Sequence, residues 1–196
     1  MDSMKRFIIV AMLHAAVVGY SQQEQRYYDI RFGGIKIGEL KATRTVRDSV
    51  TRYELESDVS FWCLTKVRIQ HHIESIYSNN RLISTRSVSN AGDDVYTSSA
   101  IWKDGYYHVK VDSYKYSNHE PIYEAVECNI ARLYFVEPVG VGKTLADSEG
   151  TLSAINTLKP GSYEVGKGKN EFHYEHGELR RASIFSRIRY EVVIKK

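Results

Sequence analysis

The residues able to bind a metal or run acid–base chemistry fall in a few short groups. His71 and His72 are neighbours, and His173 and His176 flank Tyr174-Glu175. On a strand, adjacent side chains point to opposite faces, so His71 and His72 cannot hold one ion from one side. His173 and Glu175 share a face, and a turn at Gly177 brings His176 round. Zinc takes three or four convergent ligands, and only a remote residue could complete this set. The reading is surface histidines beside a turn, with no metal site. Glu54, Glu56 and Asp58 alternate along one segment, about 7 Å apart if it is extended. Two carboxylates perform glycosidase chemistry only across a cleft. A row on one polar face reads instead as a solvated surface, with Arg52, Arg68 and His72 as partners.

Other motifs fail on detail. Gly142-Lys143-Thr144 ends like a phosphate-binding loop, but that loop needs glycine where Glu137 stands. No G-x-S-x-G is present. Cys63 and Cys128 sit among apolar residues, with no basic neighbour or helix start to lower a thiol pKa. An oxidising compartment permits a bridge between them, but two cysteines can also sit buried and free; geometry decides. No catalytic residue and no cofactor is assigned. The remaining candidates are aromatic. Trp102, Tyr107, Tyr114 and Tyr116, with Tyr106, cluster in two adjacent segments. They would either line a ligand surface or pack across strands.

The elements that carry these residues are strands. Tyr53, Leu55, Val59, Phe61 and Cys63 alternate with Arg52, Glu54, Glu56, Asp58 and Ser60. That period of two marks a sheet with one apolar and one polar face. Val67, Ile69, Ile73 and Tyr77 continue the pattern, as do Ile188, Tyr190, Val192 and Ile194. Turn residues separate the runs: Gly33-Gly34, Ser78-Asn79-Asn80, Asn90-Ala91-Gly92-Asp93, Asp104-Gly105 and His176-Gly177. The 15 tyrosines favour half-buried strands, and none of the three prolines precedes Pro121. The expectation is an all-β fold of about ten strands, near 26–33, 35–47, 51–63, 66–78, 81–89, 94–103, 106–116, 162–167, 170–175 and 178–195. The last divides near Ser186. One short helix is expected over 124–135, ending before Pro138. Residues 136–161 read as a looser region with short strands. Strand twist makes such a sheet a strongly curved antiparallel sheet, or an open or half barrel. Its concave face is either filled or left as a ligand cavity.

The N-terminus reads as a secretory leader. Lys5 and Arg6 precede the apolar run Phe7 to Val18, and Gly19-Tyr20-Ser21 offers small residues for a cut after Ser21. The apolar run is shorter than the roughly 20 residues of a membrane span. The expectation is therefore a leader over 1–21 and a single periplasmic or secreted domain over 22–196, with no stable membrane span after cleavage. Loss of Asp2, Lys5 and Arg6 with the leader lowers the formal charge from +3 to +2. The basic residues are interleaved with acidic ones, unlike the one-sign stripe of a nucleic-acid binder.

Three motifs together resemble a known family. They are Tyr28-x-Ile30-x-Phe32-x-Gly34-x-x-x-Gly38-Glu39 and Leu133-Tyr134-Phe135-x-Glu137-Pro138, followed by Tyr174-x-x-Gly177-x-Leu179 with Tyr190-x-Val192. The chain resembles exported bacterial proteins grouped as domain of unknown function 6134, and more loosely those grouped as 3108. The resemblance implies a curved antiparallel sheet in the cell envelope and carries over no site residues. The functional expectation is a non-enzymatic module binding an apolar or amphipathic ligand or a partner chain. The alternatives are an envelope assembly protein acting through its surface, and a hydrolase whose site assembles from distant residues.

Overall fold

The computed structural model describes residues 21–195 other than 64, 114, 115, 167–169 and 186–188, and no side chain at 62, 63, 65 or 66. The leader expected before Ser21, and Tyr114, lie outside the described residues. Fourteen strands form one sheet. They are β1 (Gln22–Phe32), β2 (Ile35–Arg47), β3 (Val50–Cys63), β4 (Thr65–Ser78), β5 (Arg81–Ala91), β6 (Asp94–Lys103) and β7 (Tyr106–Ser113), then β8 (Tyr116–Asn118), β9 (Lys143–Ala146), β10 (Thr151–Lys159), β11 (Ser162–Val165), β12 (Asn170–Glu175), β13 (Glu178–Phe185) and β14 (Arg189–Ile194). The one helix among the described residues, α1 (Ile130–Leu133), lies between β8 and β9.

The expected all-β class and antiparallel sheet are present, with more strands than expected. The 136–161 region supplies β9 and β10, and the expected strand 106–116 is broken into β7 and β8. The helix expected over 124–135 contracts to one turn. Its upstream carbonyls are taken by strands: Val126 O accepts from Leu82 N–H and Cys128 O from Leu145 N–H. Those bonds hold the chain extended until Asn129, whose side chain caps the helix by accepting from Arg132 N–H.

The sheet order is β8-β7-β6-β5-β4-β3-β2-β1-β14-β13-β12-β11-β10-β9. Every neighbour pair is a sequential hairpin except β1 with β14, which joins the two halves. The sheet is not closed by a ladder. Its two ends meet through side chains instead. Asn118 Nδ2 donates to Glu149 O and Gly150 O, both at 3.0 Å, and Tyr116 O–H donates to Glu149 O at 2.9 Å.

The chain between β8 and β9 folds back against the concave side and plugs it. Val126, Cys128, Asn129, Ala131, Leu133, Tyr134 and Phe135 are all buried. A buried irregular segment must satisfy its own backbone polar groups. Tyrosines of the sheet do much of this. Tyr174 O–H donates to Leu133 O at 2.7 Å, Tyr28 O–H to Tyr134 O at 3.3 Å, and Tyr107 O–H accepts from Val126 N–H at 3.2 Å. Each ring also supplies apolar area to the core, a combination that phenylalanine cannot offer. Among the described residues no helix is long and apolar enough to cross a membrane.

Candidate functional site

Cross-strand pairing places residues in rows that share one face. The row Tyr53–Ser75–Thr85–Ala100–Val109 is fully buried, and so is Ala42–Leu55–Ile73–Ser87–Ser98–Val111. Both lie under the plug and the β9–β10 turn: the Tyr53 and Phe135 rings are 5.7 Å apart, and Thr85 Oγ1 donates to Asp147 Oδ1 at 2.6 Å. The next row on the same face is Ser57–His71–Ser89–Tyr96, and all four are only half-buried. Beyond it come Val59–Ile69–Ala91 and then Phe61–Val67, again half-buried. Across the sheet, Ala182 and Val192 are buried, while the following pair, Ile184 and Tyr190, is half-buried. The plug therefore covers one half of the concave side. The other half is an open floor, about 14 Å along the strands and about 14 Å across β3–β6, from strand rise and spacing.

The floor is apolar with a polar inner edge. His71 lies at that edge, its Nε2 3.4 Å from Ser87 Oγ. Burial, then the neighbouring His72, pushes its pKa down to about 4. His72 faces the other way and is exposed, as strand alternation requires. The convex face beneath the floor carries the charges. Arg52 pairs with Glu54 and Glu74, Lys41 with Glu56, and Arg68 with Asp58. Arg52 and Arg68 are the partners expected for this acidic row, while among the described residues Glu56 pairs with Lys41 and not with His72. Arg68 holds the Asp58 carboxyl below its usual range.

The other candidates fall elsewhere. Tyr107 is completely enclosed and packs edge-on against half-buried Trp102, with Arg81 over the Trp102 ring. Tyr116 is exposed and serves the seam between β8 and the β9–β10 turn. None of these three lines the floor. Cys128 is a free, buried thiol, and burial pushes its pKa up to about 11, far from the thiolate that a nucleophile needs. Lys143 opens β9 and pairs with Glu124; Thr144 beside it is buried.

One constellation has the residue types of a hydrolytic triad. Ser162 Oγ is 3.0 Å from His173 Nδ1, and His173 Nε2 is 3.4 Å from Glu171 Oε2. It stands on the face opposite buried Tyr163, Phe172 and Tyr174, and the Ser162 hydroxyl is almost wholly covered. A nucleophile needs a cleft that admits a carbonyl beside oxyanion donors; this face presents a ladder.

A buried polar cluster escaped sequence reasoning. Asn129 accepts from Tyr77 O–H at 2.8 Å and donates to Ser75 Oγ at 2.6 Å and Asp147 Oδ1 at 3.0 Å. Asp147 also accepts from Ile130 N–H at 3.2 Å. Burial raises the Asp147 pKa against these hydrogen bonds. The cluster ties the plug and the β9–β10 turn to β4 and β5. The sequence signals were an Asn before a short apolar run and an Asp opening a glycine turn. Neither pairing is local, so neither pointed to the other.

The fold and floor define an all-β class: a plugged, incompletely closed antiparallel barrel with half its concave side uncovered. The chain belongs to the family described as a domain of unknown function, DUF6134, whose model matches residues 28–196. Among solved structures it is similar to the beta-barrel-like protein of domain of unknown function DUF1849 from Brucella abortus. That likeness has 10% identity and a TM-score of 0.52, and covers 91% of this chain and 98% of the other. At that identity it shows the fold alone. No curated protein matches the chain.

Proposed function

We propose that this protein is an exported, non-enzymatic binding module whose open floor holds one apolar or amphipathic ligand. The carrying observation is the row-by-row change in burial. Inner-facing Val59, Ile69, Phe61 and Val67 remain half-buried although their strands continue the core rows. Apolar side chains on a concave surface gain free energy when a ligand removes them from water, roughly 25 cal/mol per Å2. The ligand acts on the uncovered half; the plug occupies the rest.

The fluorescent probe N-phenyl-1-naphthylamine tests this directly. Wild-type protein is expected to bind it. Ile69→Asp puts a carboxylate mid-floor and is expected to weaken binding at least about tenfold, the cost of leaving a charge against an apolar ligand. Gln70→Asp, on the opposite face, leaves binding unchanged. Wild-type protein that fails to bind at roughly 100 μM probe, a very weak threshold, overturns the reading. A second reading, a partner docking on the surface, draws on Phe32 and Ile35, which pair across the β1–β2 turn and are 47% and 72% exposed.

A further inference from the structure

The floor's polarity runs in one direction. Its inner row, beside the plug, carries Ser57, His71 and Ser89, while its outer rows carry Val59, Ile69 and Ala91, then Phe61 and Val67. We infer that the site takes a single-chain amphiphile with an uncharged, hydrogen-bonding headgroup, seated head inward at His71 with its chain running out over Ile69 and Val67. This rests on the ligand reading above and adds orientation and headgroup class to it.

Three observations carry it. First, no Lys, Arg, Asp or Glu occurs among the described floor residues from Ser57 to Tyr96 in the inner row, nor at Val59, Ile69, Phe61 or Val67. The nearest charge in these rows is Asp94, paired with Ala91 at the edge and accepting from Tyr96 O–H at 3.2 Å. Among the described residues of these rows a carboxylate head would meet no cation, and an ammonium head would meet no carboxylate at the inner row. Second, His71 is neutral at ordinary pH, since burial holds its pKa near 4. A neutral imidazole offers one donor and one acceptor, and Ser87 engages one nitrogen. Third, the Ser57 and Ser89 hydroxyls have no side-chain hydrogen bond among the described residues. A hydroxyl or ester head gains partners at this row that repay its desolvation. From His71 to Val67 is about 13 Å along the strand, the reach of a medium-length acyl chain.

The experiment compares monodecanoylglycerol, decanoate and decyltrimethylammonium by displacement of the naphthylamine probe. Isotope-filtered NOE spectra of the wild-type protein with monodecanoylglycerol then give the orientation. The neutral amphiphile is expected to bind at least roughly tenfold tighter than either ion, since an ion must shed water without a counter-charge. Its glycerol protons should show contacts to the His71 ring, and its terminal methyl to Val67. His71→Gln is expected to weaken the neutral amphiphile roughly threefold to tenfold, the loss of one hydrogen bond, while Gln70→Asp on the opposite face leaves its affinity unchanged. A terminal methyl at His71, or an ion bound as tightly as the neutral head, overturns this inference and leaves the ligand reading standing. Failure of every amphiphile and of the probe removes both.

Discussion

His71 and His72 are the same residue type in adjacent positions, yet the sheet gives them opposite surroundings. His72 lies exposed on the convex face, while His71 stands at the inner edge of the floor with its pKa near 4. In the unfolded chain a histidine titrates near 6.5. Between pH 6.5 and 4 the unfolded state therefore holds the extra proton, and stability falls as pH falls. The full shift would be worth about 3 kcal/mol, and the partial exposure of His71 reduces it, so roughly 1–2 kcal/mol is expected. Urea titrations at pH 7 and 4.5 check this. Wild type should lose about that much more stability than His71→Gln over the interval. Equal losses would place His71 in ordinary solvent. Asp147 works in the opposite sense, because its raised pKa adds stability as pH falls. It is common to both proteins and cancels in the difference.

At the scale of elements, the plug and the seam depend on a few non-local pairings. Gly150 ends the β9–β10 turn at φ +62°, and a Cβ there would lie 2.5 Å from Val109 Cγ1 and 2.7 Å from Val111 Cγ2. Backbone conformation and close approach both demand glycine. Gly150→Ala is expected to destabilise the fold by about 2–4 kcal/mol, combining left-handed strain with overpacking. Gly92→Ala shares the positive φ, +65°, with open space around it, and should cost only about 1 kcal/mol. Equal losses in urea unfolding for the two variants would show that the turn does not seat on β7. The alternation that predicts the long strands β2 through β6 comes from residues two apart, so it is legible in the chain. The contraction of the helix to Ile130–Leu133 is not, because Leu82 and Leu145, distant in sequence, take the carbonyls that an earlier helical turn would use.

At the scale of the molecule, the N-terminus and the mouth of the floor lie at opposite ends. Gln22 pairs with Val46 near the β2–β3 turn, over the plugged half, whereas Gly38 pairs with Val59 in the open half. The cut proposed after Ser21 therefore falls next to the plugged end of the sheet, away from the floor. Expression with residues 1–21 attached, followed by intact mass measurement of periplasmic and medium fractions, is expected to give a chain starting at Gln22. A protein retaining Met1 in those fractions would sink the leader proposal. Of the aromatic candidates, Tyr107 suits a strand and reads in sequence first as a cross-strand packing residue. Its place at 0% exposure follows from the plug folding onto it.

By itself the sequence determined the strand alternation, the hairpin turns, the antiparallel class and the charged convex face, since each depends on residues a few positions apart. The tertiary structure decided which half of the concave side is covered. That depends on where residues 119–142 return, on tyrosine hydroxyls meeting backbone carbonyls more than 40 positions away, and on Asn129 meeting Asp147. Such contacts have no local period to read. The floor around His71 is what this return leaves open.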